Sequence, residues 1–220
     1  MTEIIKVLEI IGTIAFALSG SLVAISSGLD IFGVVFIACI TAFGGGVIRD
    51  ILLGKTPPAI FDHFSVFLIA LFVAVLAFII AYMYRERFDS FKTKIEQINN
   101  IFDALGLSAF VVIGSEIGYV NGFSNNGFVI VFAGMITGVG GGILRDILID
   151  TTPYVFKKHV YALAAILGSI MYFLLRKYTQ NINQASVLSM FLIFTIRMLA
   201  TRYRWSLPKI HINDNVDKAI

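Results

Sequence analysis

The chain has 220 residues, 58% of them hydrophobic and only 14% charged, with a mean hydropathy of +0.88. A soluble domain of this size carries about 25% charged residues, so the composition excludes an ordinary soluble fold and defines an integral membrane protein. The net charge of +3 must be read through where the Lys and Arg fall and is not a nucleic-acid signal, while a single cysteine, Cys39, excludes an internal disulfide.

Seven apolar runs predict seven membrane helices, each near the ~20 residues a bilayer core demands. They cover residues 4–25, 31–53, 64–84, 101–119, 127–149, 160–175 and 185–200. No basic segment with a cleavage site precedes the first, so it is expected to be a retained span. Solid apolar runs without alternation argue against a barrel. A charged connection, 85–100, separates the third and fourth spans, and a polar tail covers 201–220.

One phrase is written twice. GGGVIRDILLGKTPPAIFDH, residues 44–63, lies over GGGILRDILIDTTPYVFKKH, residues 140–159, at an offset of 96 with ten of twenty positions identical. At an offset of 94, Glu9, Gly12, Ala15, Phe16 and Gly20 lie over Asp103, Gly106, Ala109, Phe110 and Gly114. Spans 1–3 (within 1–84) therefore match spans 4–6 (within 101–178), and span 7 (within 179–200) is left over. Three spans is an odd number, so the second copy must run inverted, about an approximate two-fold axis in the membrane plane. The short connections hold ten Lys and Arg on one side and four on the other, which puts the N-terminus outside and the C-terminus in the cytoplasm.

Three consecutive glycines cost about 1 kcal/mol each against alanine in a helix. Gly44, Gly45 and Gly46, and likewise Gly140, Gly141 and Gly142, are therefore expected to break spans 2 and 5 and free backbone groups for water or an ion. Charges within a span are expensive and mark pathways or pairs. By helix rise, Glu9, Arg49 and Asp50 fall near the outer boundary, and Asp103, Arg145 and Asp146 near the inner one. Each set holds two carboxylates and one guanidinium, leaving one negative charge, and Glu116 adds another acid outside. Vestibules of that kind favour cations. His63 and His159 follow prolines at opposite faces and cannot share a metal, and no catalytic grouping is evident, so neither an enzyme nor a resident metal or cofactor is expected.

Seven spans, two inverted triple-span repeats and a doubled GGGxxRD resemble the trimeric intracellular cation channel family in its prokaryotic branch, which is also filed as a glycine-transporter domain family. The resemblance covers about residues 5–200. It implies a homotrimer in the prokaryotic plasma membrane, in contact with lipid, with a potassium-permeable pore in each protomer lined by the glycine-bearing spans. Potassium would pass transiently near the glycine breaks. By motif, the pore residues are Gly44, Gly45, Gly46, Arg49 and Asp50, with Gly140, Gly141, Gly142, Arg145 and Asp146. A small amino-acid carrier of the glycine type is the alternative, since inverted repeats with broken helices also build transporters. Charges placed towards the faces rather than at the midplane favour the channel.

Overall fold

The computed structural model describes residues 2–62, 64–85, 92–157 and 160–205. His63, His159, part of the charged connection (86–91) and most of the tail (206–220) lie outside the described residues. Among the described residues the chain is all helix. The seven spans are α1 (Glu3–Ser26), α2 (Ile31–Leu52), α3 (Phe64–Met83), α4 (Lys92–Gly118), α5 (Gly127–Leu148), α6 (Val160–Thr179) and α7 (Ile182–Arg202), with a one-turn helix at Tyr154–Lys157. All seven are long and apolar enough to cross a membrane.

Helix boundaries repeat along with the sequence. Asp30 caps α2 by accepting from Gly33 N at 2.8 Å, and Asn126, 96 residues on, caps α5 by accepting from Val129 N at 3.2 Å. Both helices end on a left-handed residue at the same register, Gly54 (φ 72°) and Asp150 (φ 56°). The reversal of the chain after each helix is therefore built by the same two devices in both halves.

One boundary differs from the expectation. Helix α4 starts at Lys92 and not at 101, so residues 92–100 are helical and not a connection. Glu96, Asn99 and Asn100 belong to this extension, and the spacing of Ile95, Asn99 and Asp103 carries one helix face straight into the membrane run.

The halves interlock instead of sitting side by side: α1 packs on α4, and α2 on α5. At the centre the repeat-equivalent rings of Phe16 and Phe110 stack with centroids 5.2 Å apart. Each ring lies on the other half's glycine. A Cβ on Gly12 would stand 3.0 Å from the Phe110 ring, and one on Gly106 would collide with Phe16. Helix α4 is the most enclosed span and α3 the least. Phe72 on α3 is 68% exposed, and Leu68, Leu76 and Ile79 join it in an apolar face suited to acyl chains.

Candidate functional site

The glycine triplets do not break their helices. Both α2 and α5 run as uninterrupted helix through Gly44, Gly45 and Gly46 and through Gly140, Gly141 and Gly142. The expected break is corrected by what lies opposite. A Cβ on Gly45 would overlap the Thr137 carbonyl oxygen, and one on Gly141 would overlap the Thr41 carbonyl oxygen, its repeat equivalent. A Cβ on Gly140 would lie 3.0 Å from Gly45 Cα, and one on Gly44 would lie 2.6 Å from the Leu144 side chain. Gly45, Gly140 and Gly141 thus let two backbones touch, the small-residue solution to helix crossing in membranes, while Gly44 makes room for the Leu144 side chain. The propensity cost is offset by packing that no residue with a side chain permits.

The third glycine has a different task. A Cβ on Gly46 would sit 3.7 Å from Arg49 Nη2, and one on Gly142 would sit 3.7 Å from Arg145 Nη2. Three residues apart on a helix, glycine and arginine share a face, so the guanidinium lies along its own helix over the third glycine, where a Cβ would meet it in ordinary contact. The aspartate that follows is used twice over. Asp50 Oδ1 accepts from Arg49 Nε at 2.9 Å and Nη2 at 2.7 Å, while its Oδ2 accepts from Ala59 N at 2.9 Å. Asp146 Oδ1 accepts from Arg145 Nε at 2.8 Å, while its Oδ2 accepts from Tyr154 N at 2.7 Å. GGGxxRD is therefore one local machine: two glycines for contact, one beneath the guanidinium, an arginine laid back, and an aspartate tying it to the returning chain.

The two copies serve different surroundings. At the Arg49 end a cavity of about 820 Å³ opens between α1, α2 and α4. Three carboxylates (Glu9, Asp50, Glu116) and three cationic side chains (Arg49, Lys55, Arg176) line it, and it extends past Gly46 to Thr13, Phe110 and Thr137. At the Arg145 end the corresponding space is closed. Arg145 Nη1 donates to Asp103 Oδ1 at 3.1 Å and to Ser19 Oγ at 2.9 Å, and Ser19 Oγ donates to Asn99 Oδ1 at 2.8 Å. That chain ties α5 to α4 and α1. A shallow cavity of about 310 Å³ stops at Arg145 and Asp146. The reason is legible position by position: at an offset of 94, Ser19 corresponds to Ile113 and Asn99 to Ile5. Both isoleucines line the open cavity, and neither can accept a hydrogen bond from Arg49.

Charge also departs from the expectation. The Arg145 cluster is not left with a negative charge, because α7 supplies a second cation. Arg197, 1% exposed, lies over the Tyr161 ring at 4.6 Å and has its Nη2 3.9 Å from Asp103 Oδ2. Two carboxylates there meet two guanidiniums. Glu116 at the other end is matched as well, accepting from Arg176 at 3.1 and 3.2 Å and from the Tyr172 hydroxyl at 2.6 Å. Beyond the membrane run, the Tyr154 hydroxyl donates to Asn100 Oδ1 at 2.6 Å. Burial first, then the Asp103 and Glu96 carboxylates, push that phenol up to about 12, so it stays a donor at neutral pH. Among the described residues, no group of three or more His, Cys, Asp or Glu side chains is placed to hold a metal.

All twelve residues singled out from the sequence thus fall on this assembly: four glycines at the α2–α5 crossing, Gly46 and Gly142 beside their arginines, and three charges at each end. Arg197, Ser19, Asn99 and Arg176 were missed. Arg197 and Arg176 had a signal, being charges at or within apolar runs. Ser19 and Asn99 had one only in the mismatch with their repeat partners.

The profile of the family described as glycine transporter matches the chain twice, over residues 6–82 and 100–177. A prokaryotic TRIC channel crystallised in 0.5 M KCl is 35% identical, with a TM-score of 0.83 over 94% of this chain and all of that one. The chain belongs to the TRIC cation channel family. The TRIC trimeric intracellular cation channel orthologue from Rhodobacter sphaeroides is 29% identical, with a TM-score of 0.82 over 93% of this chain and 100% of that one. The UPF0126 membrane protein YvgT of Bacillus subtilis (strain 168) is 33% identical over 92% of this chain and 95% of its own length. Within this TRIC chain both profile matches end before α7, so Arg197 reaches the Arg145 cluster from outside the duplicated unit.

Proposed function

We propose that the protein is a monovalent-cation channel, permeable to potassium, with a path inside each protomer of a homotrimer in a prokaryotic plasma membrane. The observation that carries this reading is the cavity at the Arg49 end. It brings water-sized space from the membrane face down to the glycine crossing, between carboxylates whose oxygens suit hard cations. The name of the Rhodobacter sphaeroides relative, a trimeric cation channel, supports the assembly and the ion class. In this reading the path follows α1 and α4 past Gly46 and Gly142, and potassium rests near the glycines only in passing. The latch of Arg145 on Asp103, Ser19 and Asn99 closes the far end, and conduction requires its release. The Arg49 end faces outside and the Arg145 end the cytoplasm, following the distribution of Lys and Arg.

The test is reconstitution of purified protein in planar bilayers under a potassium gradient. Discrete unitary currents reversing near the potassium potential are expected. Saturable glycine uptake without currents would replace the channel by a carrier. Orientation is tested in a Cys39→Ala background: Lys55→Cys should react with an impermeant thiol reagent on intact cells, and Gln97→Cys only after lysis.

A further inference from the structure

Most serine and threonine hydroxyls buried in these helices follow a rule; among the described residues Thr13, Ser186 and Ser189 depart from it, and of these three Thr13 lines the cavity at the Arg49 end. Thr41, Thr137, Ser21 and Ser115 each donate to the carbonyl four residues before, at 2.5 to 2.9 Å. This is the usual way a membrane helix satisfies a hydroxyl. Thr13 on α1 is fully buried, yet its Oγ1 makes no hydrogen bond. It is not remote from the path. Thr13 belongs to the lining at the deep end of the 820 Å³ cavity, one helical turn below Glu9, with Thr137 and Phe110 nearby. A buried hydroxyl without a partner is destabilising, and at most sites a threonine so placed is replaced without loss by valine.

The repeat sharpens the point. At an offset of 94, Glu9 corresponds to Asp103, so both ends keep a carboxylate, but Thr13 corresponds to Leu107. Leu107 is fully buried, and its Cδ1 lies 3.1 Å from where a Cβ on Gly138 would be. At this depth one half thus carries a buried hydroxyl with free lone pairs beside the cavity, the other a packed methyl.

We infer that Thr13 is a cation-binding and selectivity residue: its hydroxyl oxygen replaces a water of a partly dehydrated monovalent cation at the floor of the cavity, after Glu9 has drawn the ion in. Leu107 is the apolar counterpart that no ion contacts. The inference rests on the channel reading for its role in selectivity, but the binding site itself does not require that currents be seen.

Two measurements separate the two. Crystals of the protein soaked in thallium(I), an anomalously scattering stand-in for potassium, should show an anomalous peak in contact with Thr13 Oγ1. Thr13→Val should lose that peak while unfolding at the same or a higher temperature, because an orphan hydroxyl has been removed. Thr13→Ser should keep it. In bilayers, Thr13→Val should lower potassium occupancy about tenfold, the scale of one contact to a charged group, and should change the potassium-to-caesium permeability ratio, with Thr13→Ser restoring it. Leu107→Ala should leave that ratio unchanged. Absence of a thallium peak at Thr13 in wild-type crystals overturns the inference whatever the currents show. So does an unaltered permeability ratio in Thr13→Val when wild-type conducts. A wild-type protein that binds thallium(I) at Thr13 but passes no current leaves the site standing and overturns the channel reading.

Discussion

At one end of the molecule an arginine holds a single carboxylate; at the other its repeat copy holds two carboxylates and a serine hydroxyl. The backbone around both is the same, from the left-handed residue after the helix to the aspartate that reaches the returning chain. What separates an open end from a closed one is a handful of partners two helices away: Ser19 against Ile113, Asn99 against Ile5, and an arginine from α7 with no counterpart. A duplicated motif therefore sets where a charge can stand, and its unduplicated surroundings decide whether the charge is locked.

The strongest way to break this contrast is to remove each arginine in turn. Arg145→Ala leaves two buried carboxylates, Asp103 and Asp146, with Arg197 as their one remaining guanidinium among the described residues, and should cost roughly 3–5 kcal/mol of stability. Among the described residues Arg49 pairs with one carboxylate, Asp50, which like Asp146 keeps its bond to the returning backbone, so Arg49→Ala should cost clearly less. Thermal unfolding in one detergent compares them, and equal losses would mean that the two ends are energetically alike. In surviving Arg145→Ala channels, open probability should rise.

Next in size is the crossing, where the two halves are expected to behave identically. Gly45→Ala and Gly141→Ala each drive a methyl into the partner helix's carbonyl oxygen and should each cost about 3 kcal/mol, at the upper end of overpacking. Gly46→Ala meets nothing closer than the Arg49 guanidinium and should unfold within about 1 kcal/mol of wild type, showing its effect in current instead. If Gly46→Ala proved as destabilising as Gly45→Ala, the division of labour within the triplet would fall.

The smallest effect concerns the mouth at the Arg49 end. Arg176→Gln frees the Glu116 charge beside the cavity and should raise potassium conductance at low salt, within about fivefold, with the gain fading at high salt. Glu116→Gln should do the opposite. A salt-independent change would point to altered packing around Tyr172 in place of electrostatics.

Much of this architecture can be read without coordinates. Charges inside apolar runs are costly enough that Glu9, Arg49, Asp103 and Arg145 announce themselves, and a constant offset assigns them to two ends. Helix depth placed Arg145 near Asp103 or Asp146, and it pairs with both. The glycines were harder. Bending and close crossing call for the same residue, and only the position of Thr41 and Thr137 on the neighbouring helix decides between them. Arg197 was missed for another reason: its charge stood out within an apolar run, but nothing in a repeat predicts which cluster a residue outside it will join. The latch at Ser19 lay in a mismatch between copies, while alignment of the repeat directs attention to what agrees.

The stacked rings of Phe16 and Phe110 carry a consequence beyond packing. A surface on a two-fold axis must fit a copy of itself, so this core is the contact that two separate, oppositely inserted single-copy proteins would make with each other. In such a pair every substitution appears at both ends at once, and the two membrane faces cannot differ. Joining the copies in one polypeptide removes that constraint. It lets one face keep Thr13 while the other takes Leu107, and it lets a further helix bring Arg197 to one side alone. Sidedness in this protein is thus a property of fusion: the shared core supplies the frame, and the tether is what permits an entrance and a closure to be written into it separately.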